Sequence, residues 1–340
     1  MRNAVKDYAF ATTPFNHQIE AFLQSRNVPA FALFMEQGTG KTKVALDVAC
    51  YKYARGRIDA LVVIAPNGVQ DGWVLDEAPE HIPEFVNWKG HIWSSSSAGT
   101  LWHEEVCDEL IKFDGMPILA MNIETITTKT AGKFLKKFLL ARKCMVVFDE
   151  STTIKSPGAK RTKRAMSIRN YAPERMILTG TPATRGPLDL YSQMAFLDPG
   201  FFGFTSFLAF KHYFAEWERK KAPGGHWYDD LVGYLNLDEI NDVLAEHSFR
   251  VLKKDCLDLP PKLFQKRRFN MLPEQQKLYD DLREEFVAEL RGVELRASMV
   301  LTRMLRLQQI SCNLFPSDDS SERILPQGDD PRLQQTLAAI

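Results

Sequence analysis

Residues 30 to 54 read AFALF, then MEQGTGKT, then KVALDVACYKYA. An apolar run, a glycine-containing turn and a helical pattern in direct succession predict a strand, a tight loop and a helix. Gly38 and Gly40 carry no side chain, so the backbone around them can curl and aim its N–H groups at an anion, helped by the positive end of the helix that follows. Gln37, Gly38, Thr39, Gly40, Lys41 and Thr42 are therefore the candidate nucleotide-binding set. Lys41 has the reach for β- and γ-phosphates, and the Thr42 hydroxyl suits Mg²⁺. The full pattern G-x-x-x-x-G-K-[ST] asks for glycine at position 35, where this chain has Met35, so the strict match fails. A turn that merely caps a helix is the plainer alternative, but it leaves Lys-Thr at this spacing after a buried strand unexplained.

Other short β-rich runs lead through polar loops into helical patterns: ALVVIAP (60 to 66), PILAMN (117 to 122), CMVVFDE (144 to 150) and RMILTGTP (175 to 182). Alternating strands and helices imply an α/β fold, a mostly parallel sheet flanked by helices, with ligands beyond the carboxyl ends of the strands. Asp149 and Glu150 stand at such an end. A metal-bound triphosphate needs a second carboxylate for the metal and a group that positions water. Asp149 would hold Mg²⁺ through its water shell, and Glu150 would orient and activate the water. Alone, the pair reads as well as an N-cap and first-turn acid; beside the phosphate loop, the metal-and-water reading is favoured. Gln18, in TTPFNHQIEAF, offers an amide donor and acceptor that can match the two polar edge groups of adenine.

A chain of 340 residues with 45% hydrophobic content can bury a full core and hold two domains. Its 43 basic and 43 acidic side chains cancel, so a nucleic-acid surface would have to be a local patch. No apolar run approaches the roughly 18 residues that span a bilayer, and MRNAVKDYAF lacks a signal-peptide core. A reducing, cytoplasmic location is the expectation. The five cysteines (Cys50, Cys107, Cys144, Cys256, Cys312) include no CxxC pair, and the seven histidines form no metal-ligand spacing with them, so buried thiols are expected.

From about residue 200 the pattern changes. GFFGFTSFLAFKHYFAEWERK is aromatic and helical in spacing, KAPGGHWYDD reads as a loop, and LDEINDVLAEHS as an amphipathic helix with Asn236 as N-cap. Residues 200–250 are thus expected to be a helical insertion, with Trp217 and Trp227 in its core. KLFQKRRFNML (262 to 272) has strand character, a helical pattern runs from Pro273 towards Cys312 with a break near Gly292, and PSDDSSERILPQGDDP (316 to 331) reads as a linker or loop.

Gln18, MEQGTGKT, DEST and LTGTP occur in the order found in superfamily 2 helicase-like ATPases, which the chain resembles. IAPNGVQDGW (64 to 73), LTGTPATRGPLDLYSQMAFLDP (178 to 199), FRVLKKDCLDLPPKLFQKRRFNMLPEQQKLYDDL (249 to 282) and RMLRLQQISCN (303 to 313) are similar to segments of the SWI/SNF-type DNA translocases, in a compact form like phage or bacterial members. The resemblance implies a RecA-like P-loop NTPase lobe over residues 1–315, then a linker and the start of a second lobe over 316–340. It also implies ATP and Mg²⁺ as cofactors and double-stranded DNA as partner. DEST replaces the usual Asp-Glu-Ala-His or Asp-Glu-Ala-Asp, which leaves magnesium chemistry intact and puts the coupling role of Ser151 and Thr152 in question.

By the same resemblance, Pro66, Asn67, Gly68, Asn122 and Thr181 would face one DNA strand or couple it to the ATP site. Backbone contact suits a motor, which must move regardless of sequence. The basic run from Ile154 to Arg175, with Lys155, Lys160, Arg161, Lys163 and Arg164, is either a solvated helix face or a phosphate contact. The second lobe of such motors supplies an arginine finger; none is legible here, so these residues are expected to be an N-terminal part that hydrolyses ATP slowly by itself. The expected function is the ATP-binding lobe of a DNA-dependent ATPase that translocates on double-stranded DNA. A strand-separating helicase, a restriction or repair motor, and a nucleotide-dependent binding module are the alternatives.

Overall fold

The computed structural model describes residues 7–222, 224–258, 266–292, 297–314, 323–324 and 329–338. Residues up to Leu259 form one compact unit, and those from Pro260 a second.

The first unit is built on a seven-stranded, wholly parallel sheet. Its strands are β1 (Ala30–Met35), β2 (Ala60–Ala65), β3 (Trp88–Ile92), β4 (Met116–Asn122), β5 (Cys144–Asp149), β6 (Glu174–Leu178) and β9 (Ser248–Val251), in the order β3-β4-β2-β5-β6-β1-β9. Runs such as ALVVIA are apolar throughout because both faces are covered. In β2, Val62 and Ile64 enter the core on one side while Leu61, Val63 and Ala65 enter the core on the other. Helices α1 (Asn16–Ser25) and α2 (Lys41–Ala54) pack on the second side, with Phe22, Val44, Leu46 and Val48 buried there. The five apolar runs expected to form the sheet are all strands of it, and β6 lies between β1 and β5.

Two further strands were not legible. β3, WKGHI, carries Lys, Gly and His at a half-exposed sheet edge, and β9, SFRV, has four residues. Neither makes the apolar run by which a buried strand is recognised.

The expected helical insertion needs correction. The helix Phe207–Phe214 stops there, and the chain turns into an antiparallel hairpin, β7 (Ala215–Lys221) with β8 (Trp227–Tyr234), before the helix Leu237–His247. Cross-strand chemistry overrides the aromatic spacing: Lys220 bridges Asp230 at 2.7 Å, and the Arg219 guanidinium lies over the Trp227 ring. Trp227 is 51% exposed rather than core, and Trp217 is half-buried beneath Lys211.

Linear spacing also concealed one cluster. His91 on β3 meets His103 and Cys107 on the helix Leu101–Lys112, their candidate ligand atoms all lying within 4.8 Å of one another. The expectation that histidines and cysteines share no ligand arrangement fails because one of the three groups comes from a different element. All five cysteines are free thiols; Cys50, Cys107 and Cys144 are buried as expected, Cys256 and Cys312 only partly.

In the second unit, the helices Pro273–Gly292 and Ala297–Ser311 are joined by a bond from the Gln275 amide to the Ile310 carbonyl at 2.6 Å. The helix Pro331–Leu337 is capped by Asp330. Part of the strand expected over 262–272, and most of the expected linker, lie outside the described residues; residues 266–272 form no strand.

Candidate nucleotide site

The loop after β1 takes its shape from two glycines. Gly38 (φ +79°) and Gly40 (φ +82°) adopt left-handed backbone, and Gly40 is the residue from which α2 starts. A Cβ on Gly40 would stand 2.1 Å from Gln18 Nε2, so that position also needs hydrogen for clearance. Between the glycines, Thr39 is buried; its N–H and hydroxyl both donate to the Glu36 carbonyl, at 3.2 and 2.7 Å. Met35, where the strict pattern has glycine, is fully buried as the last residue of β1. The strand runs one residue further than the pattern allows, and the turn is confined to Glu36–Gly40.

Lys41 is buried and its ammonium lies 3.5 Å from the Glu36 carbonyl. Burial pushes its pKa below the ordinary lysine value, the charges of Glu150 and Asp149 oppose this, and Lys253 adds to it. Thr42 follows in the first turn of α2.

Opposite stands the end of β5. Asp149 is buried; its Oδ2 accepts from the Trp73 indole at 2.9 Å and its Oδ1 from the Glu150 N–H at 2.9 Å. Burial raises its pKa, against the pull of those two donors and of Lys41. Trp73 begins a π-helical turn, Trp73–Glu77, a distortion that recurs at functional sites. Glu150 has left-handed backbone (φ +48°), a conformation that costs about 1 kcal/mol or more for a residue with a side chain. Its Oε2 accepts from the buried Thr179 hydroxyl at 3.2 Å.

One cavity of about 600 Å³ is lined by Gln18, all six residues from Gln37 to Thr42, Asp149 and Glu150. The fold thus gathers every residue expected at the nucleotide, from three chain segments. The set fits a metal-bound nucleotide: N–H-rich backbone at a helix start, one cation, one hydroxyl and two carboxylates. Gln18 arrives with its amide already engaged. Its Oε1 accepts from the Phe15 N–H at 2.9 Å and its Nε2 donates to the Thr39 carbonyl at 3.2 Å, so here it clips α1 to the phosphate loop. Phe15, 58% exposed on the cavity wall, offers an aromatic face for a base that the sequence reasoning overlooked.

A buried network ties this site to the loop after β6. The Ser151 hydroxyl donates to Gln193 Oε1 at 2.7 Å, and Gln193 Nε2 donates to the Pro182 and Asp189 carbonyls at 2.7 and 2.8 Å. Gly180 brings the same loop against β1: a Cβ there would lie 3.2 Å from the Gln37 nitrogen and 3.4 Å from the Glu36 Cα. Trp73, Thr179 and Gln193 lie within the family-like segments, and their sequence positions alone point to none of these contacts.

The expected nucleic-acid residues do not line this cavity. Pro66, Asn67 and Gly68 follow β2, with Asn67 and Gly68 exposed; Asn122 ends β4, its Oδ1 accepting from the Thr125 N–H and hydroxyl; Thr181 is exposed beyond β6. Lys155 is held by Thr184 and by Asp189 at 3.1 Å. Within the basic run, Arg161 faces Glu124 and Arg164 donates to the Ile126 carbonyl, while Lys160 and Lys163 are exposed.

A family model described as an SNF2-related domain matches residues 19–315. The chain is 27% identical over 284 residues to the DNA annealing helicase and endonuclease ZRANB3 of Bos taurus, covering 81% of this chain and 24% of that protein. It is 30% identical over 234 residues to a SWI/SNF-related matrix-associated actin-dependent regulator of chromatin, subfamily A-like protein 1, of Xenopus tropicalis, covering 67% of this chain and 21% of that one. The chain thus spans about a quarter of the length of these curated relatives. Among solved structures, the Sulfolobus solfataricus SWI2/SNF2 ATPase core in complex with dsDNA superposes with a TM-score of 0.57 at 23% identity, over 98% of this chain and 64% of that one. At that identity the likeness is one of fold.

Proposed function

The chain belongs to the SNF2-related domain family, its parallel sheet being the RecA-like lobe of an ATPase core, and from this premise we propose that it is the ATP-binding lobe of a DNA-dependent ATPase that translocates on double-stranded DNA. The observation that carries the reading is the convergence of Lys41, Thr42, Asp149 and Glu150 on one cavity at the carboxyl ends of β1 and β5. Residues 1–315 are the first lobe in this reading, in keeping with a family match that ends at 315.

The backbone N–H groups from Gly38 to Thr42 and the Lys41 ammonium bind and orient the phosphates of ATP. Thr42 and Asp149 would hold a Mg²⁺ ion, which would supply neutralisation of charge on the phosphate oxygens, and the Trp73 indole and the Glu150 N–H fix the Asp149 carboxylate. Glu150, held by Thr179, orients the attacking water and takes its proton. Among the described residues no arginine lines the cavity, so the transition-state charge calls for an arginine from a second lobe.

Duplex DNA as the track is supported by the similar proteins, one a DNA annealing helicase and one solved in complex with dsDNA. Exposed Asn67, Gly68 and Thr181 would meet its backbone. A cytoplasmic site of action belongs to the same reading, in keeping with five free thiols.

The test is magnesium-dependent ATP binding by the chain, together with hydrolysis measured without nucleic acid and with linear duplex DNA, single-stranded DNA or RNA. Mg·ATP binding by the chain and slow hydrolysis by the chain alone are expected, with stimulation by duplex DNA when a second lobe supplies the arginine. Binding unaffected by Lys41→Ala would remove the site, and stimulation by RNA alone would overturn the substrate class.

A further inference from the structure

The helix Leu101–Lys112 places His103 and Cys107 four residues apart, on one face, and that face looks at the sheet-edge strand β3. Cys107 Sγ lies 3.5 Å from His103 Nε2. His91 on β3 completes a triangle in which the three donor atoms are all within 4.8 Å of one another. His103 and Cys107 are buried and His91 is partly so; His91 Nε2 is itself a buried nitrogen with no hydrogen-bond partner. A polar atom desolvated in this way without a partner calls for an explanation, and a bound ion is one of the few available.

We propose that His91, His103 and Cys107 bind one Zn²⁺, which pins the edge strand β3 to the helix that follows it. Two imidazoles and a thiolate are the donor set of a borderline-soft divalent ion and the wrong one for Mg²⁺ or Ca²⁺. The spacing fits: zinc bonds of about 2.3 Å to sulfur and about 2.0 Å to nitrogen, at a tetrahedral angle, put the two donors about 3.5 Å apart. Ser97 Oγ stands 3.3 Å from His103 Nδ1, so it can take the proton on that nitrogen and leave Nε2 as the ligand atom, the arrangement that orients metal-bound histidines. On binding, the Cys107 thiol gives its proton to solvent, a zinc–sulfur bond replaces the contact to His103, and the three protein ligands leave a fourth position for water. That water has a way in, because His103 and Cys107 line a cavity of about 610 Å³.

The ion would join two elements linked by Ser94–Thr100, a run of mostly serine, alanine and glycine with little apolar surface of its own. It is distinct from the nucleotide site, whose lining shares no residue with it.

The test uses the whole chain, stripped with a chelator, re-exposed to micromolar Zn²⁺, dialysed and assayed for metal by mass spectrometry, alongside His91→Ala and Cys107→Ser. About one zinc per chain is expected to remain, with affinity more than about tenfold lower in either variant. Circular dichroism and Mg·ATP binding are measured on each variant, so that loss of zinc is read on folded protein. Co²⁺ in place of zinc gives a near-ultraviolet thiolate-to-metal charge-transfer band that Cys107→Ser abolishes. Zinc uptake by the parent chain equal to that of the His91→Ala/Cys107→Ser double variant, or a Co²⁺ complex with no charge-transfer band, overturns the proposal. Failure there leaves the ATPase reading untouched.

Discussion

Two groups of residues leave the same end of one parallel sheet, and they are held in opposite ways. Around the nucleotide cavity, Thr39, Lys41, Asp149, Ser151 and Gln193 are buried, and each polar group has a partner fixed at short distance. On the outer rim, Asn67, Gly68 and Thr181 are exposed, and Asn122 is engaged only with its own turn. The difference matches the ligands proposed for them. A triphosphate is small and of fixed geometry, so a rigid, desolvated arrangement built in advance gives the most electrostatic stabilisation. A polymer backbone presents the same phosphate at every step, and a site that must release and re-engage it gains nothing from burial.

That contrast can be broken at both poles. The largest effect is expected from Glu150→Gln, which keeps the shape and removes the base: DNA-stimulated hydrolysis falls about 10²- to 10⁴-fold while Mg·ATP binding is retained. Phosphate release beside a fluorescent-nucleotide titration checks this, and parallel loss of binding and turnover would show that the two carboxylates do not divide their roles. Lys41→Ala comes next, lowering turnover about 10²- to 10³-fold by removing one preorganised donor from the phosphates, with weaker nucleotide binding in the same titration.

Gln193→Ala tests the interior of the contrast, away from any ligand. It strands the Ser151 hydroxyl and two carbonyls in a dry site, at a cost of about 2–3 kcal/mol, read as a lower urea midpoint with unchanged slope. A variant as stable as the parent would mean that the network closes through water. The smallest effects belong to the rim: Asn67→Ala or Thr181→Ala should weaken duplex binding about 2- to 10-fold, with nucleotide affinity unchanged. If a rim substitution moved nucleotide affinity as far as it moved DNA affinity, the two groups would have to be counted as one site.

The same contrast explains what the sequence disclosed. The phosphate loop and the Asp149–Glu150 pair were legible because their chemistry is consecutive in the chain and follows apolar runs. Their supports were not. Trp73 lies 76 residues from Asp149, Thr179 lies 29 from Glu150, and Gln193 lies 42 from Ser151, so only the fold shows that they meet. DEST looked like a departure that put coupling in doubt; in the structure its serine makes the bridge to the loop after β6. The hairpin β7–β8 was read as helix and loop because Phe recurs at helical intervals up to Phe214, whereas the strands beyond it are stabilised by pairs that only the register brings opposite each other. The cluster of His91, His103 and Cys107 was invisible for a related reason, one of its three residues being supplied by a strand that no apolar run announces.

Gly180 leaves no room for even a methyl group without crowding the Gln37 nitrogen. In a machine, the slack between two meshed parts is its backlash, the travel lost before one part drives the other. Here that slack is smaller than a single carbon atom, so in the proposed motor a displacement of Thr181 on the outer rim would have almost no distance to dissipate before it reached the turn assigned to phosphate.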